Sequence, residues 1–310
     1  MAHLWTDPAW LAGAHAWIDD RLGALGLIRT GDIEQPHAEV WSTVLRVPTQ
    51  GGPVWFKANH GPLMHEAALV DLLADRVPDL VQALLASDTE RGWLLMSDAG
   101  HRLRELVQVE ESLERWVDVL AGTARIQLAL EDDIEALLAL GVPDLRLETL
   151  PQRYDALMDQ IGAEPRFREA GARVRSLARD LAPYGIRETV QHDDLHDGQV
   201  FVRDGRHWVM DWGDACVSHP FFTLSVTLEG VLAWGLDDVA GSVDVTPFRE
   251  AYLAPYADAY PRLTAADLAE AARVATRLGW ACRAVNGHIA GDDRQTITRL
   301  TMFVDGRLAD

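Results

Sequence analysis

Two regimes of apolar spacing divide the chain. Up to residue 98, short apolar runs bounded by Gly, Pro and charged residues predict strands over residues 32–37, 40–47 and 52–58, and a buried strand running into a turn over 91–100. Two helical patterns accompany them, over 8–27 and 65–75; in the second, Ala68, Leu69, Leu72 and Leu73 fall on one face. Beyond 98 the runs lengthen and take helical spacing over 113–130, 150–161, 167–181, 221–234, 248–260 and 265–286, interrupted by strand formers around 199–210. No period of 20 to 50 residues and no low-complexity tract breaks this plan. A chain of 310 residues exceeds the usual single-domain size, so the pattern predicts an α+β protein of two parts, 1–98 and 99–310.

The interruption carries the candidate chemistry. Asp204-Gly205 is the dipeptide preferred by a two-residue type I′ turn, and the flanking segments 199–203 and 206–210 are rich in strand formers. Counting outward sets Arg203 opposite Arg206, Phe201 opposite Trp208, Gln199 opposite Met210 and Gly198 opposite Asp211, with opposed Cβ atoms roughly 5 Å apart. The Asp211 carboxylate then emerges beside Gln199 and the acidic stretch His192-Asp193-Asp194-Leu195-His196-Asp197. One carboxylate, one amide oxygen and phosphate oxygens are what a divalent cation such as Mg²⁺ needs. Asp194, in the same loop, is placed to take the proton of an attacking hydroxyl. The combination reads as phosphoryl transfer. A second reading stays open: His192 and His196, with Asp194 and Asp211, have the spacing of a zinc or dinuclear hydrolase site.

The stretch 192–199 followed by a hairpin and Asp211 resembles the aminoglycoside phosphotransferase-like kinases, whose segment runs His-Gly-Asp-x-His-x-x-Asn before a hairpin and a metal-binding Asp. The resemblance implies a two-lobed, protein-kinase-like fold, with a small, mostly antiparallel N-terminal lobe that binds nucleotide and a larger helical lobe holding the catalytic loop and acceptor pocket. It makes Asp194 the catalytic base, Gln199 and Asp211 the magnesium ligands, and ATP or another nucleoside triphosphate the donor. His192, His196 and Asp197 would hold the loop, and Asp214 would support a second metal or cap the next segment. Two positions depart from the pattern: Asp193 stands where glycine is usual and Gln199 where asparagine is usual. Gln at that place is similar to bacterial maltokinases, a sugar-phosphorylating branch. A catalytically silent nucleotide-binding homologue is the alternative those departures leave open.

A kinase of this kind needs a lysine on the α- and β-phosphates and a glutamate to orient it. Lys57, closing the apolar run Val54-Trp55-Phe56, is the only lysine in the chain, and Glu66 opens the following helix. No glycine-rich loop precedes it; Ser42 and nearby amides are the candidates for phosphate contact. The resemblance puts the hinge between lobes at 91–100, where backbone groups of Leu95, Met96 and Ser97 would meet the adenine edge. It also puts the acceptor pocket in the helical part, where Trp234, Trp280, Asp193, Asp237 and Asp238, with Asp292 and Asp293 nearby, are candidates to hold a sugar face or an ammonium group. Taken singly, each tryptophan also reads as core and each acid as surface.

Charge narrows the partners. The formal net charge is −20, which repels nucleic acid and anionic lipid, and no basic patch offsets it; the arginines of 166–179 alternate with acids. A cationic or hydroxyl-rich small molecule fits better. Two cysteines, Cys216 and Cys282, make no disulfide framework, the amino-terminal residues 1–7 lack signal-peptide character, and no apolar run reaches the ~20 residues of a membrane span, so a cytoplasmic location is expected. Oligomeric state is not legible.

Overall fold

The computed structural model describes residues 4–306 and divides into two compact units; the first three residues of the amino-terminal segment read above, and the last four of the second expected part, lie outside the described residues. The first unit runs to Gly100 and takes in Met210–Gly213, so a short return segment joins it that a boundary at residue 98 does not foresee.

In this unit α1 (Pro8–Ala24) precedes β1 (Glu34–Ala38), β2 (Ser42–Val47) and β3 (Val54–Asn59); α2 (His65–Arg76) then leads to β4 (Leu84–Asp88) and β5 (Trp93–Ser97). Asp7 starts α1 by accepting from the amides of Ala9 and Trp10, with Pro8 at the first helical position, where its missing N–H costs nothing. The five strands form one antiparallel sheet in the order β1-β2-β3-β5-β4. Ile18 and Leu22 of α1 pack with Leu45, Phe56, Trp93 and Leu95 to make the core, and the Trp93 ring meets Phe56 edge-on at 5.4 Å. Strand β3 lies inside the sheet, and its side chains alternate: Phe56 and Ala58 join the core, which leaves Lys57 and Asn59 on the opposite face. The strand continues two residues beyond Lys57, so the lysine sits within it rather than at its end.

The second unit comprises His101–Val209 and the chain from Asp214. Its elements are β6 (His101–Arg102), α3 (Leu103–Glu110), α4 (Arg115–Ala129), α5 (Ile134–Ala139), α6 (Leu150–Gln160), α7 (Pro165–Glu169), α8 (Gly171–Leu181), β7 (Thr189–Gln191), β8 (Val200–Arg203), β9 (Arg206–Val209), β10 (Cys216–Ser218), α9 (Thr246–Ala259), α10 (Ala265–Asn286) and α11 (Arg294–Asp305). Strands β8 and β9 pair with Arg203 opposite Arg206 and Phe201 opposite Trp208. Asp204 and Gly205 both have positive φ, 52° and 74°, as a type I′ turn requires. The ladder stops at Val200 opposite Val209, one pair short of Gln199 and Met210.

Two expected helices differ. The 167–181 pattern is two helices broken at Ala170, where Gly171 brings the start of α8 so close to α6 that a Cβ there would lie 2.9 Å from the Asp155 carboxylate. The 221–234 pattern is not α-helical: a 3₁₀ turn at Pro220–Phe222 precedes a π-helical turn at Ser225–Val231 and a second 3₁₀ turn at Leu232–Trp234. Side-chain hydroxyls compete for the backbone there. Thr227 donates to the carbonyls of Thr223 and Leu195, and Ser225 to that of Thr276 in α10.

Candidate functional site

In the first unit one buried cation organises the site. Lys57 Nζ donates to Glu66 Oε1 at 2.8 Å and to Asp211 Oδ1 at 2.6 Å. Glu66 belongs to the first turn of α2 and is 1% exposed, so it is no solvated helix-start acid. Asn59, two residues along β3 and therefore on the same face as Lys57, donates to the other Glu66 oxygen and to the Leu63 carbonyl at 3.1 Å. Burial drives the Lys57 ammonium toward losing its proton, but the carboxylates of Asp211 and Glu66 reverse this and hold its pKa above the ordinary value. With Glu66 and Asp211 ionised beside the Lys57 ammonium, the trio carries one net negative charge. That charge is presented by Asp211, whose side chain is 43% exposed against 2% for Glu66. A solvent-reachable carboxylate with excess negative charge is a hard-oxygen donor that suits Mg²⁺. Asp211 itself takes a left-handed backbone, φ 64°, before the turn Trp212–Asp214.

The second unit holds the catalytic-loop candidate between β7, paired with β10, and β8. His192 is fully buried and its Nδ1 lies 3.4 Å from the Asp194 amide. Leu195 is also buried, its carbonyl accepting from Thr227 at 2.8 Å. His196 Nδ1 accepts from the Gly198 amide at 3.0 Å. Asp197 is gripped by Arg104 of α3 at 2.7 and 2.9 Å, and although burial raises its pKa, His196 and Arg104 bring it down to about 2. The loop is thus fastened on both sides of Asp194.

Asp194 itself is 24% exposed at its side chain, with Oδ1 held by Arg283 Nη2 at 2.9 Å. Arg283 Nη1 lies 3.2 Å from Asp214 Oδ1 and 3.6 Å from Asp193 Oδ2. Asn286, one turn further along α10, donates to Asp193 at 2.9 Å and to the Asp214 carbonyl at 2.6 Å. Asp193 adopts φ 63°, the left-handed conformation that glycine takes most easily. Its carboxyl is turned inward and only 2% of the residue is exposed, so the structure does not offer it to a substrate, contrary to expectation. Burial pushes its pKa up, Arg283 and Asn286 pull it back, and it comes to about 6.

The model of the phosphotransferase enzyme family, APH, matches residues 34–268. The chain belongs to that family. No curated protein matches the sequence. Among solved structures this phosphotransferase is similar to APH(2")-IIia in complex with GDP and kanamycin (16% identity, 94% of this chain and 98% of that one, TM-score 0.60). It is also similar to the choline kinase LicA from Streptococcus pneumoniae (15%, 95% and 98%, 0.61) and the macrolide 2'-phosphotransferase MphH from Brachybacterium faecium (18%, 94% and 98%, 0.56). At these identities the likeness is one of fold, and it bears out the two-lobed α+β architecture with an antiparallel first sheet and a helical remainder.

Several expected site residues lie elsewhere in the phosphotransferase. Leu95 and Met96 are inside the sheet, in register with Phe56 and Trp55 of β3 and with Ala86 and Leu84 of β4, so strand pairing consumes their backbone groups. The Ser97 amide donates to Ala83 O, and its carbonyl accepts from Gln82. Those three residues do not present an adenine-binding edge. Ser42 is 5% exposed and its Oγ meets His37 Nε2 at 3.3 Å. Trp234 and Trp280 converge on Glu229 rather than on the acids expected beside them: Trp280 Nε1 donates to its carboxylate at 2.6 Å and Trp234 Nε1 to its carbonyl at 3.0 Å. Asp237 and Asp238 are exposed; Asp237 lines a cavity of about 560 Å³ with Glu114, Leu236, Val243 and Phe248. Asp292 is tied to Arg294, and Asp293 lies 4.0 Å from His288.

The hydrolase alternative required His192, Asp194 and His196 to converge. Among the described residues the one group of three such ligands is Asp193, Cys216 and Cys282, where Asp193 already meets Arg283 and burial keeps both thiols protonated. Sequence reasoning missed Asn59, Arg283 and Asn286. Only the i, i+2 spacing with Lys57 signalled the first; the others lie about ninety residues from the loop they grip.

Proposed function

We propose that this phosphotransferase moves the γ-phosphoryl group of ATP to a hydroxyl of a small molecule, an aminoglycoside or a neutral or amino sugar, in a magnesium-dependent reaction. The observation that carries the reading is the buried Lys57, oriented by Glu66, which Asn59 holds in turn, and left with an excess negative charge at Asp211. In this reading Lys57 Nζ binds phosphate oxygens while Glu66 keeps it in place. Asp211 would hold the magnesium ion, which when bound supplies charge neutralisation at the phosphoryl oxygens, and the Gln199 amide is the further ligand that the sequence pattern offers. Asp194 orients the acceptor hydroxyl and takes its proton on a carboxylate oxygen. His196, Asp197 and Arg104 keep the loop in shape. A kanamycin complex, a macrolide phosphotransferase and a choline kinase among the similar structures support a small hydroxylated acceptor; the charge of −20 favours a cationic one. Among the described residues no helix is long and apolar enough to cross a membrane, and both cysteines are free and buried, in keeping with a reducing cytoplasm.

The test is ADP release from Mg·ATP with kanamycin, glucosamine, glucose, erythromycin and choline as acceptors, for the wild type and Asp194→Ala. Acceptor-stimulated release that disappears in the variant supports the reading. Equal release from both proteins refutes the role of Asp194. Absence of magnesium-dependent ATP binding refutes the reading altogether.

A further inference from the structure

Arg283 is 4% exposed near the end of the 22-residue helix α10. A guanidinium does not shed its proton on burial, so its desolvation must be offset by anions, and burial is the largest influence on it, reversed by Asp214, Asp194 and Asp193. Of these three carboxylates, Asp193 is sealed in (1% exposed at the side chain), whereas Asp194 and Asp214 open outward at 24% and 32%. The fork divides between them: Nη2 goes to Asp194 Oδ1, and Nη1 faces Asp193 and Asp214.

We propose that Arg283 is the positioning residue of the phosphotransferase base, fixing one oxygen of Asp194 so that the other, Oδ2, addresses the acceptor hydroxyl. This rests on Asp194 being the base. A carboxylate held at one oxygen by a planar fork cannot turn freely about its Cβ–Cγ bond, and the fork is itself held by Asp214 and by Asp193. Asp193, at the left-handed position where the family pattern has glycine, is therefore part of the clamp. Asn286 ties Asp193 to the Asp214 carbonyl, so one face of α10 fixes both chain segments. The other ionisable groups around Asp194 are His196, whose Nε2 is 3.9 Å from Oδ2, and Arg299, which donates to the Gly287 carbonyl. Burial and the neighbouring Arg283 bring Arg299 down to about 10.

The simpler role would be neutralising the buried Asp193, and a double variant separates the two. With Mg·ATP and the acceptor that gives turnover above, Arg283→Gln is expected to lower kcat on the order of a hundredfold, the cost of a displaced catalytic group, with KM for Mg·ATP unchanged. Arg283→Lys, which keeps charge but loses the fork, falls between. Asp193→Asn/Arg283→Gln should remain as slow as Arg283→Gln; recovery to the wild-type rate would overturn the proposal, as would a fully active Arg283→Gln. Where Arg283→Gln does not fold by circular dichroism, Arg283→Lys carries the comparison, and wild-type kcat in that variant is the refuting result. The carboxyl ¹³C chemical shift of Asp194, assigned with Asp194→Asn, reads the hold without turnover. The Asp194 resonance should move in Arg283→Lys and in Arg283→Gln, which remove the fork at 2.9 Å from Oδ1; an unmoved resonance refutes the hold even if no acceptor is phosphorylated, and a moved one without turnover leaves the fault with the assigned function.

Discussion

Replacing Lys57 by methionine removes the one cation from the pair of carboxylates it bridges while filling nearly the same volume. The two contacts differ in worth. Asp211 is 43% exposed at its side chain, so its carboxylate can turn to water, and that arm is worth no more than an exposed ion pair, about 0 to 1 kcal/mol. Glu66 has no such recourse at 2% exposure: it would be left as a buried charge holding only Asn59. Breaking a buried pair from one side costs about 3 to 5 kcal/mol, so Lys57→Met should lose roughly 3 kcal/mol or more. Lys57→Met/Glu66→Gln should regain most of that, since an amide is far cheaper to bury than a carboxylate. The assay is urea denaturation followed by tryptophan fluorescence, with Trp10, Trp17 and Trp93 reporting on the first sheet. The folded-state pKa of Lys57 is raised, so its contribution is whole below the unfolded value of about 10.4 and fades only as pH rises through the higher folded value. The difference between wild type and variant should therefore be flat across neutral pH. A loss below about 1 kcal/mol, the value of a surface pair, would refute the account of Lys57 as a buried cation.

Two further outcomes follow from the same kind of reasoning. Asp193 titrates at about 6 in the folded protein, above its unfolded range, so its contribution to stability is whole below about 3.9 and is lost as pH rises through 6; Asp193→Asn should flatten the stability profile over that interval in urea titrations. At Gly279, a Cβ would press on Ser225 Oγ and lie 2.9 Å from the Phe222 carbonyl, so Gly279→Ala should destabilise by about 1 to 3 kcal/mol in denaturant melts.

What the sequence disclosed depended on how local its cause was. The β8-β9 register follows from two residues, because a type I′ turn leaves no freedom in which side chains face each other. Helix α10 begins where Thr264 and Asp267 form a capping box and stops before Gly287, both readable signals. Lys57 and Glu66 were legible because a strand and the helix after it keep them nine residues apart. The π-helical turn was not, since its apolar spacing imitates an α-helix and the hydroxyl bonds that widen it reach Leu195 and Thr276 through tertiary packing. Arg283 and Asn286 escaped for the same reason. Leu95 to Ser97 misled because a buried strand followed by a turn looks alike whether its backbone is open or, as here, paired on both edges.

Lys57 is also the chain's single lysine; every other basic side chain that is not histidine is arginine. An amine-selective acylating reagent therefore finds only one lysine side chain to modify, and that one is 9% exposed and locked between two carboxylates. Reaction needs a moment when β3 and α2 part and the ammonium sheds its proton. The rate at which this amine is acylated is then a built-in clock for local opening of the first unit, readable by mass spectrometry without introducing a label, and anything that occupies Lys57 should slow it.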